Sequence, residues 1–309
     1  MKKILVTTIC VLFLLFMFID VTAFVDAGRR GFSLFTSSVL PVLFPFFFIT
    51  SFMIESGIFS KSPRFISKAM QRIYKVDGKV APVFILGLVA GYPTSARMLS
   101  ELVNQGEISK QDAIRASTFT SITSPIFIIA TVGASLYSDV RFGVLVFAAI
   151  AIGALINGFL YRSIKFKTTD TTVNLDNKAE QKSTSDALMS SLQSSIQAIM
   201  MVGGLVVLFF ILGSQIDTIL NLSHIADIVL SSILEMTRGI FLASSYPNLT
   251  TMLHLVMATA ILSFGGLCIG MQGFLFFKKF GMPFWFYLLY KFSHMILSIG
   301  IVMLLALVF

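Results

Sequence analysis

Residues 80–106 read VAPVFILGLVAGYPTSARMLSELVNQG, an apolar run with an interruption near its middle. Gly91-Tyr92-Pro93 breaks the run, and its uncharged part ends at Arg97. One membrane crossing takes roughly 20 residues, so two crossings would need about 40. Two arms of about 12 residues reach roughly 18 Å each, which is about half a bilayer. The run therefore predicts a re-entrant hairpin, a pair of helices that enters and leaves the membrane on the same side.

The composition indicates an integral membrane protein. Of the 309 residues, 56% are hydrophobic and only 12% are charged, whereas a soluble domain usually carries about 25% charged residues. This excludes soluble enzymes, nucleic-acid-binding modules and disordered scaffolds. The net charge of +8 comes from cations in short patches between apolar runs. Such patches are typical of topological signals at an anionic cytoplasmic surface, so we expect the lipid bilayer as a partner and no nucleic acid.

Motifs of enzymes and metal sites are missing from the sequence. Cys10 and Cys268 lie in apolar runs, so neither a disulfide nor a thiolate site is indicated. The three histidines are scattered, and His254 and His294 are expected to bond to neighbouring helices, with a proton relay as the alternative. No HExxH, paired-Asp or Ser/His constellation occurs in the membrane runs, and GxxxxGK[ST] is absent. We therefore expect no enzyme activity, no metal and no cofactor.

The first half of the chain contains four further membrane segments. Residues 4–19 predict an uncleaved anchor, which the apolar residues after Asp20 favour over the alternative of a signal peptide. Residues 31–54 carry two prolines and predict a bent helix, and residues 111–137 predict a helix broken before Pro125. Residues 142–161 predict an unbroken span.

The same order of segments returns after a polar stretch. An amphipathic segment leads into a span at about 198–216, and a short segment breaks at 235–239. A helix over 250–277 breaks at 263–266, and 284–309 is unbroken. The sequence thus predicts four parts: an N-terminal anchor at 1–24, a first repeat at 25–161, a polar linker at 162–186 and a second repeat at 187–309.

The distribution of Lys and Arg predicts the topology. With the N-terminus inside, the cytoplasmic segments are 56–80, 98–112, 162–186 and 278–283, which carry 14 of the 23 Lys and Arg residues. By the positive-inside rule the N-terminus and the linker are cytoplasmic, with Arg29 and Arg30 as the exception. The two halves then enter the membrane from opposite sides. The predicted fold is an all-α polytopic membrane protein of two inverted repeats with re-entrant hairpins and broken transmembrane helices, which is an architecture of secondary transporters.

The candidate binding residues lie at or just beyond the predicted breaks. Arg97 and Arg238 follow the two hairpin tips, where a charge usually faces a cavity or a partner, and nearby helix N-termini favour an anion. The alternative is internal pairing of Arg97 with Glu101 and of Arg238 with Glu235. The hydroxyls among the candidates either face a ligand or bond to their own helix, and the glycines either line the site or permit close packing. The full set of candidates is Gly91, Tyr92, Pro93, Thr94, Arg97, Ser121, Thr123, Ser124, Glu235, Thr237, Arg238, Ser263, Gly265 and Gly266. Tyr92 either stacks on a ligand or plugs the hairpin.

Several of these motifs together resemble a known family. GLVAGYPTSAR at 87–97, GEISK at 106–110 and SPIFII at 124–129 look like the nucleoside-recognition, or Gate, domain. LEMTRG at 234–239 and SFGGL at 263–267 look like the second-half motifs of that family. Over roughly 25–309 the chain most resembles bacterial Gate proteins of the sporulation integral membrane protein type, and it is distantly similar to concentrative nucleoside transporters.

The resemblance implies a transporter but does not name its substrate. Where nucleoside transporters carry a Gln-Thr-Glu cluster, this chain has Tyr92-Pro93-Thr94, and Gly266 stands where they have an Asn. Glu235 matches the carboxylate of their second hairpin.

Two functions remain open from the sequence. The first is a transporter or transporter-like permease that moves an unidentified solute by alternating access. The arginines point to an anionic solute, and a coupling ion and a homo-oligomer are compatible with this architecture. The alternative is a non-transporting membrane component of envelope or spore assembly that acts through protein partners.

Overall fold

The computed structural model describes residues 20–56, 64–166, 183–220, 222–247 and 249–308, together with Thr7, Val11, Leu14 and Phe18. The predicted anchor or signal peptide and positions 167–182 of the predicted linker therefore lie outside the continuously described residues. In the described part, all regular secondary structure is helical.

The chain enters this part through one long helical rod. Asp20 caps α1, Val21–Leu34, by accepting a hydrogen bond from the Ala23 N–H at 2.9 Å. A π-helical stretch, Phe35–Val39, joins α1 to α2, Leu40–Glu55. The π turn precedes Pro41, which lacks an N–H donor and disturbs the preceding turn. The helix predicted at 31–54 is thus found with a π turn inside it, but it begins ten residues earlier, at Val21.

The rest of the first half contains a pair of short helices where the sequence predicts the re-entrant hairpin, and it contains the predicted broken helix. A short helix α3, Arg64–Ala69, continues as a π turn, Met70–Tyr74, in the cationic segment. The other elements are α4 (Val80–Ala90), α5 (Thr94–Asn104), α6 (Lys110–Thr120), the π-helical α7 (Ile126–Leu136) and α8 (Val140–Tyr161). Helices α4 and α5 are 11 residues each and pack against one another, so each spans about 16 Å at 1.5 Å per residue.

The second half repeats this order of element types. Its elements are α9 (Thr184–Leu220), α10 (His224–Leu234), α11 (Met236–Ser244), α12 (Thr251–Phe264), α13 (Gly266–Phe277) and α14 (Phe284–Ala306). The predicted amphipathic segment is not separate from its span, because α9 is one helix of 37 residues. It begins at Thr184, inside the predicted linker. Each half therefore places a long helix first, then a pair of short helices, then a broken helix and finally an unbroken one.

Four helical segments of the described chain are long and apolar enough to cross a membrane. They are Val140–Tyr161, Thr184–Asp217, Thr251–Phe280 and Phe284–Ala306. Helix α9 packs against α1 and α2, and α14 packs along α8 and α12. The contact between α8 and α14 is close, since a Cβ added to Gly153 would lie 2.4 Å from the Ser298 Oγ. The last helices of the two halves, α8 and α14, thus pack against each other, and helices of the two broken pairs pack against them.

Candidate functional site

The tip of the first hairpin lies against the break between α6 and α7. Gly91 adopts a φ of 73°, and an added Cβ would lie 2.7 Å from the Ser124 backbone N, so only glycine fits there. The Tyr92 N–H donates to the Ile122 carbonyl at 3.0 Å. Residues 121–124 are not helical. Ser124 begins the next helical segment, and its Oγ accepts from the Phe127 N–H at 3.3 Å, as the Ser-Pro sequence predicts.

The break between α12 and α13 contacts the same place. Thr123 donates from Oγ1 to the Leu262 carbonyl at 2.7 Å, and Tyr92 donates from Oη to the Ser263 carbonyl at 3.3 Å. Gly265 has a φ of 83°, and its missing Cβ leaves room for the phenol of Tyr92. The tip of the first hairpin is therefore clamped between the two broken helices.

The second hairpin joins this cluster through Gly266. A Cβ added there would lie 3.1 Å from the Ser232 carbonyl and 3.2 Å from the Met236 N. Between α10 and α11, Glu235 is extended, and its carboxylate accepts from the Arg238 N–H at 2.8 Å as the cap of α11. All four predicted breaks therefore meet in one place, which we call the junction: residues 91–94, 121–124, 235–237 and 263–266.

A buried lysine that was not among the residues predicted from the sequence lies beside the junction. Lys291, in the predicted unbroken span α14, is fully buried. Its Nζ donates to the Tyr92 Oη and, at 3.3 Å, to the Ser121 carbonyl. A lysine at the centre of a membrane helix costs about 3 kcal/mol on insertion scales and marks a functional position by default. A lone cation in an apolar run of this length was the signal available in the sequence.

Arg97 has the internal partner that the pairing alternative predicts. It is 2% exposed, and its Nε donates to the Glu101 Oε1 at 2.8 Å. The two terminal nitrogens donate to Ser194 at 2.8 Å and to Ser195 at 3.2 Å, both on α9. The guanidinium also lies 4.9 Å from the centre of the Phe47 ring. Four side chains, one from its own helix α5, two from α9 and one from α2, thus fix its orientation.

A polar cavity of about 320 Å³ opens beside Arg97. Its polar lining comes from Arg97, Ser100, Glu101, Asn104, Ser194, Gln197 and Lys279. Asn104 and Lys279 are exposed, so the cavity leads from the protein surface to a buried guanidinium. Two cations against one carboxylate give the lining a net positive charge.

The side chains of Arg238 and Glu235 do not form the ion pair that the sequence analysis gave as an alternative. Glu235 is occupied by the α11 backbone, and the guanidinium turns instead to Asp217 at 3.1 Å and Asp227 at 3.1 Å. Ser231 donates to the same Asp227 at 2.9 Å. The pairing is therefore between helices α9, α10 and α11 rather than within α11.

The structure corrects the idea that both arginines face one anion. Arg97 bonds to Ser194 and Arg238 bonds to Asp217, and both partners lie on the continuous helix α9. Twenty-three residues separate these partners, which is roughly 34 Å along a helix and about the thickness of a bilayer core. Arg97 thus contacts the first half of α9 and Arg238 its last turn, and a small solute cannot contact both.

The remaining candidate hydroxyls differ in whether they bond to their own helix or are left without such a bond. Ser263 bonds to the Thr259 carbonyl of its own helix at 2.6 Å, as a serine in a membrane helix commonly does. Thr94 is fully buried at the first turn of α5, and its Oγ1 has no hydrogen-bond partner among the described residues. Thr237 is half-buried at the start of α11. His294 contacts the Ile150 carbonyl through Nε2 at 2.9 Å, as expected for a helix-bonding histidine.

A second cavity, of about 210 Å³ and almost entirely apolar, lies on the side of the second hairpin. Ser232 of α10 and Phe264 of α12 line it. The cavity beside Arg97 therefore lies on the side of α5, and the apolar cavity lies on the side of α10 and reaches the junction at Phe264.

Comparison with known proteins agrees with the motifs. Residues 36–139 match the Gate family, described as nucleoside recognition. The chain is 25% identical over 281 residues to the sporulation integral membrane protein YlbJ of Bacillus subtilis (strain 168), which covers 80% of this chain and 69% of that protein. No solved structure matches the chain. The Gate match includes the hairpin α4–α5 and the broken helix α6–α7, so the resemblance seen in the sequence is confirmed. The chain is thus similar to the Gate, or nucleoside-recognition, family over residues 36–139 and to a sporulation integral membrane protein over most of its length.

Proposed function

We propose that this protein is a transporter-like permease that moves a small anionic solute across the membrane by alternating access. The observation that carries the proposal is the junction, where two short helical hairpins and two broken helices contact one another. Backbone that is neither helical nor paired is tolerated at membrane depth only where protein buries it or a cavity borders it. Breaks that meet from both halves of a chain are the arrangement by which secondary transporters form a central site.

Contacts with α9 support an inverted relation between the halves. The arginine after the first hairpin contacts the first half of α9, and the arginine after the second hairpin contacts its last turn. Hairpins that enter from opposite membrane surfaces would make this pair of contacts. In this proposal α5 faces the cytoplasm, together with the N-terminus and the linker, and α11 faces the outside.

The net positive cavity supports an anionic solute. Arg97 lies at its buried wall and Lys279 at its exposed wall. The buried guanidinium of Arg97 favours a negative group strongly where little water competes, and Lys279 adds positive charge at the exposed wall. We propose that this cavity receives the solute from the cytoplasmic side, and that the junction separates it from the opposite surface.

Uptake by the purified protein tests the proposal directly. Proteoliposomes that contain the protein would be incubated with a mixture of metabolites, and their contents would be identified by mass spectrometry against protein-free liposomes. We expect at least one anionic metabolite to accumulate. Lys279→Gln should lower its uptake severalfold, while the matched control Lys278→Gln, an exposed neighbour outside the cavity lining, should not. Folded protein that accumulates no metabolite would refute transport and favour the assembly component.

A further inference from the structure

Lys291 has polar partners but lacks a counter-charge in the described part of the chain. Its ammonium donates to a phenol oxygen and to a backbone carbonyl. No carboxylate among the described residues lies within 4 Å of its Nζ, whereas Arg97 and Arg238 both have one. A buried charge is normally compensated by an opposite charge. The missing partner of Lys291 is therefore the feature that needs an explanation.

The direction of the hydrogen bonds indicates what Tyr92 does there. The phenol donates its only proton to the Ser263 carbonyl, so its oxygen accepts from Lys291. A phenol oxygen that accepts from an ammonium occupies the position that an oxygen of a carboxylate or phosphate would take. Tyr92 belongs to the hairpin tip, whereas Lys291 belongs to the unbroken helix α14. Movement of the tip would therefore free one donor of Lys291 without moving the lysine.

The surroundings favour an anion at this position. Helix α13 begins at Gly266 without a side-chain cap, next to the Gly265 that borders the Tyr92 phenol. Uncapped N–H groups at a helix start carry partial positive charge. Thr94, two residues beyond Tyr92, adds a fully buried hydroxyl that has no hydrogen-bond partner in the described part of the chain. The phenol oxygen thus accepts from Lys291 and lies beside the start of α13, and no carboxylate among the described residues lies within 4 Å of the Lys291 Nζ.

We propose that Lys291 is a second anion-binding residue, at the junction, and that the Tyr92 hydroxyl occupies its ligand position until the hairpin tip moves. The inference rests on the proposed function in assuming that the solute passes the junction after leaving the Arg97 cavity. The ligand is an oxyanion, a carboxylate or phosphate group that replaces the phenol oxygen on the ammonium.

Removal of the phenol oxygen provides the test, because it acts in the opposite direction to removal of the lysine. Tyr92→Phe keeps the ring and vacates the position on Lys291. A hydrogen bond to a charged group is of a size that changes a binding constant about tenfold. We therefore expect Tyr92→Phe to tighten the apparent Kd for inorganic phosphate or acetate about tenfold. The Kd would be measured from anion-dependent thermal unfolding of the purified full-length protein at constant ionic strength.

Three further variants make the result specific. Tyr287→Phe removes a hydroxyl from another buried tyrosine one turn before Lys291, and it should leave the Kd unchanged. Lys291→Met in the Tyr92→Phe background should abolish the tightening, whereas Arg97→Gln in that background should preserve it. If Tyr92→Phe gives the Kd of the wild type, or if its effect survives Lys291→Met, the proposal is wrong. Loss of the effect with Arg97→Gln would also overturn it, by assigning the anion to the cavity. Since no transport is measured, a failure here is distinct from a failure of the uptake experiment.

Discussion

Neutralising Arg97 should destabilise the protein by an amount that depends on Glu101. Arg97→Gln removes an ion pair of 2.8 Å whose side chains are 3% and 20% exposed. It leaves the Glu101 carboxylate with Ser51, whose hydroxyl donates to it at 3.3 Å. Removing one partner of a buried pair costs roughly 3–5 kcal/mol. The partial exposure of Glu101 places the expected cost near the lower end, at about 3 kcal/mol.

The double variant separates the pair from its surroundings. Glu101→Gln strands the arginine charge among serine hydroxyls and should also cost about 3 kcal/mol. Arg97→Gln with Glu101→Gln leaves no buried charge, so it should cost about 4 kcal/mol rather than 6, a coupling of about 2 kcal/mol. The free energies of unfolding would come from SDS titrations of the purified protein in mixed micelles, followed by circular dichroism.

A more exposed ion pair provides the matched control. Lys79 and Glu107 also form an ion pair, but their side chains are 30% and 34% exposed. The same cycle with glutamines there should give a coupling below about 1 kcal/mol, because exposed pairs are weak. If the costs at Arg97 and Glu101 simply add, within about 0.5 kcal/mol, then the two side chains are not coupled and the reasoning from their contact is refuted.

Three other predictions concern packing, topology and the second arginine. Gly153→Leu should cost about 1–3 kcal/mol or more by the same SDS titration, because its side chain meets a serine of α14, whereas Gly300→Leu, with open space around it, should cost little. In a background without native cysteines, Ser185→Cys should resist an impermeant thiol reagent in intact cells and Ser245→Cys should react, and the reverse pattern would contradict the cytoplasmic linker. Arg238→Gln should cost less than Arg97→Gln in thermal or SDS unfolding, since its ion-pair side chains are 13–40% exposed, and an equal cost would contradict this ranking.

Composition and local residue patterns are enough to predict the class of protein and the places where its helices break. The composition requires a membrane environment, and residues 80–106 are too few for two full crossings. Gly91, Ser124-Pro125 and Gly265 mark breaks for local reasons: a positive φ, a missing N–H donor and a side chain that caps the next turn. These causes act within a few residues of the chain, so the sequence displays them directly. The order of the helical segments could be predicted for the same reason. The length of α9 could not be predicted, because the polar face of its first turns does not by itself end a helix.

The partners of the buried charges were decided only by the tertiary structure. Arg238 selects two aspartates from other helices over the glutamate three residues away, because the α11 backbone already uses that glutamate. The two arginines look equivalent in sequence, yet their partners on α9, Ser194 and Asp217, lie roughly 34 Å apart along the helix. Lys291 donates a hydrogen bond to Tyr92, which lies 199 residues earlier in the chain. Which side chains meet depends on how helices distant in sequence pack together, and no local pattern in the chain records those distances.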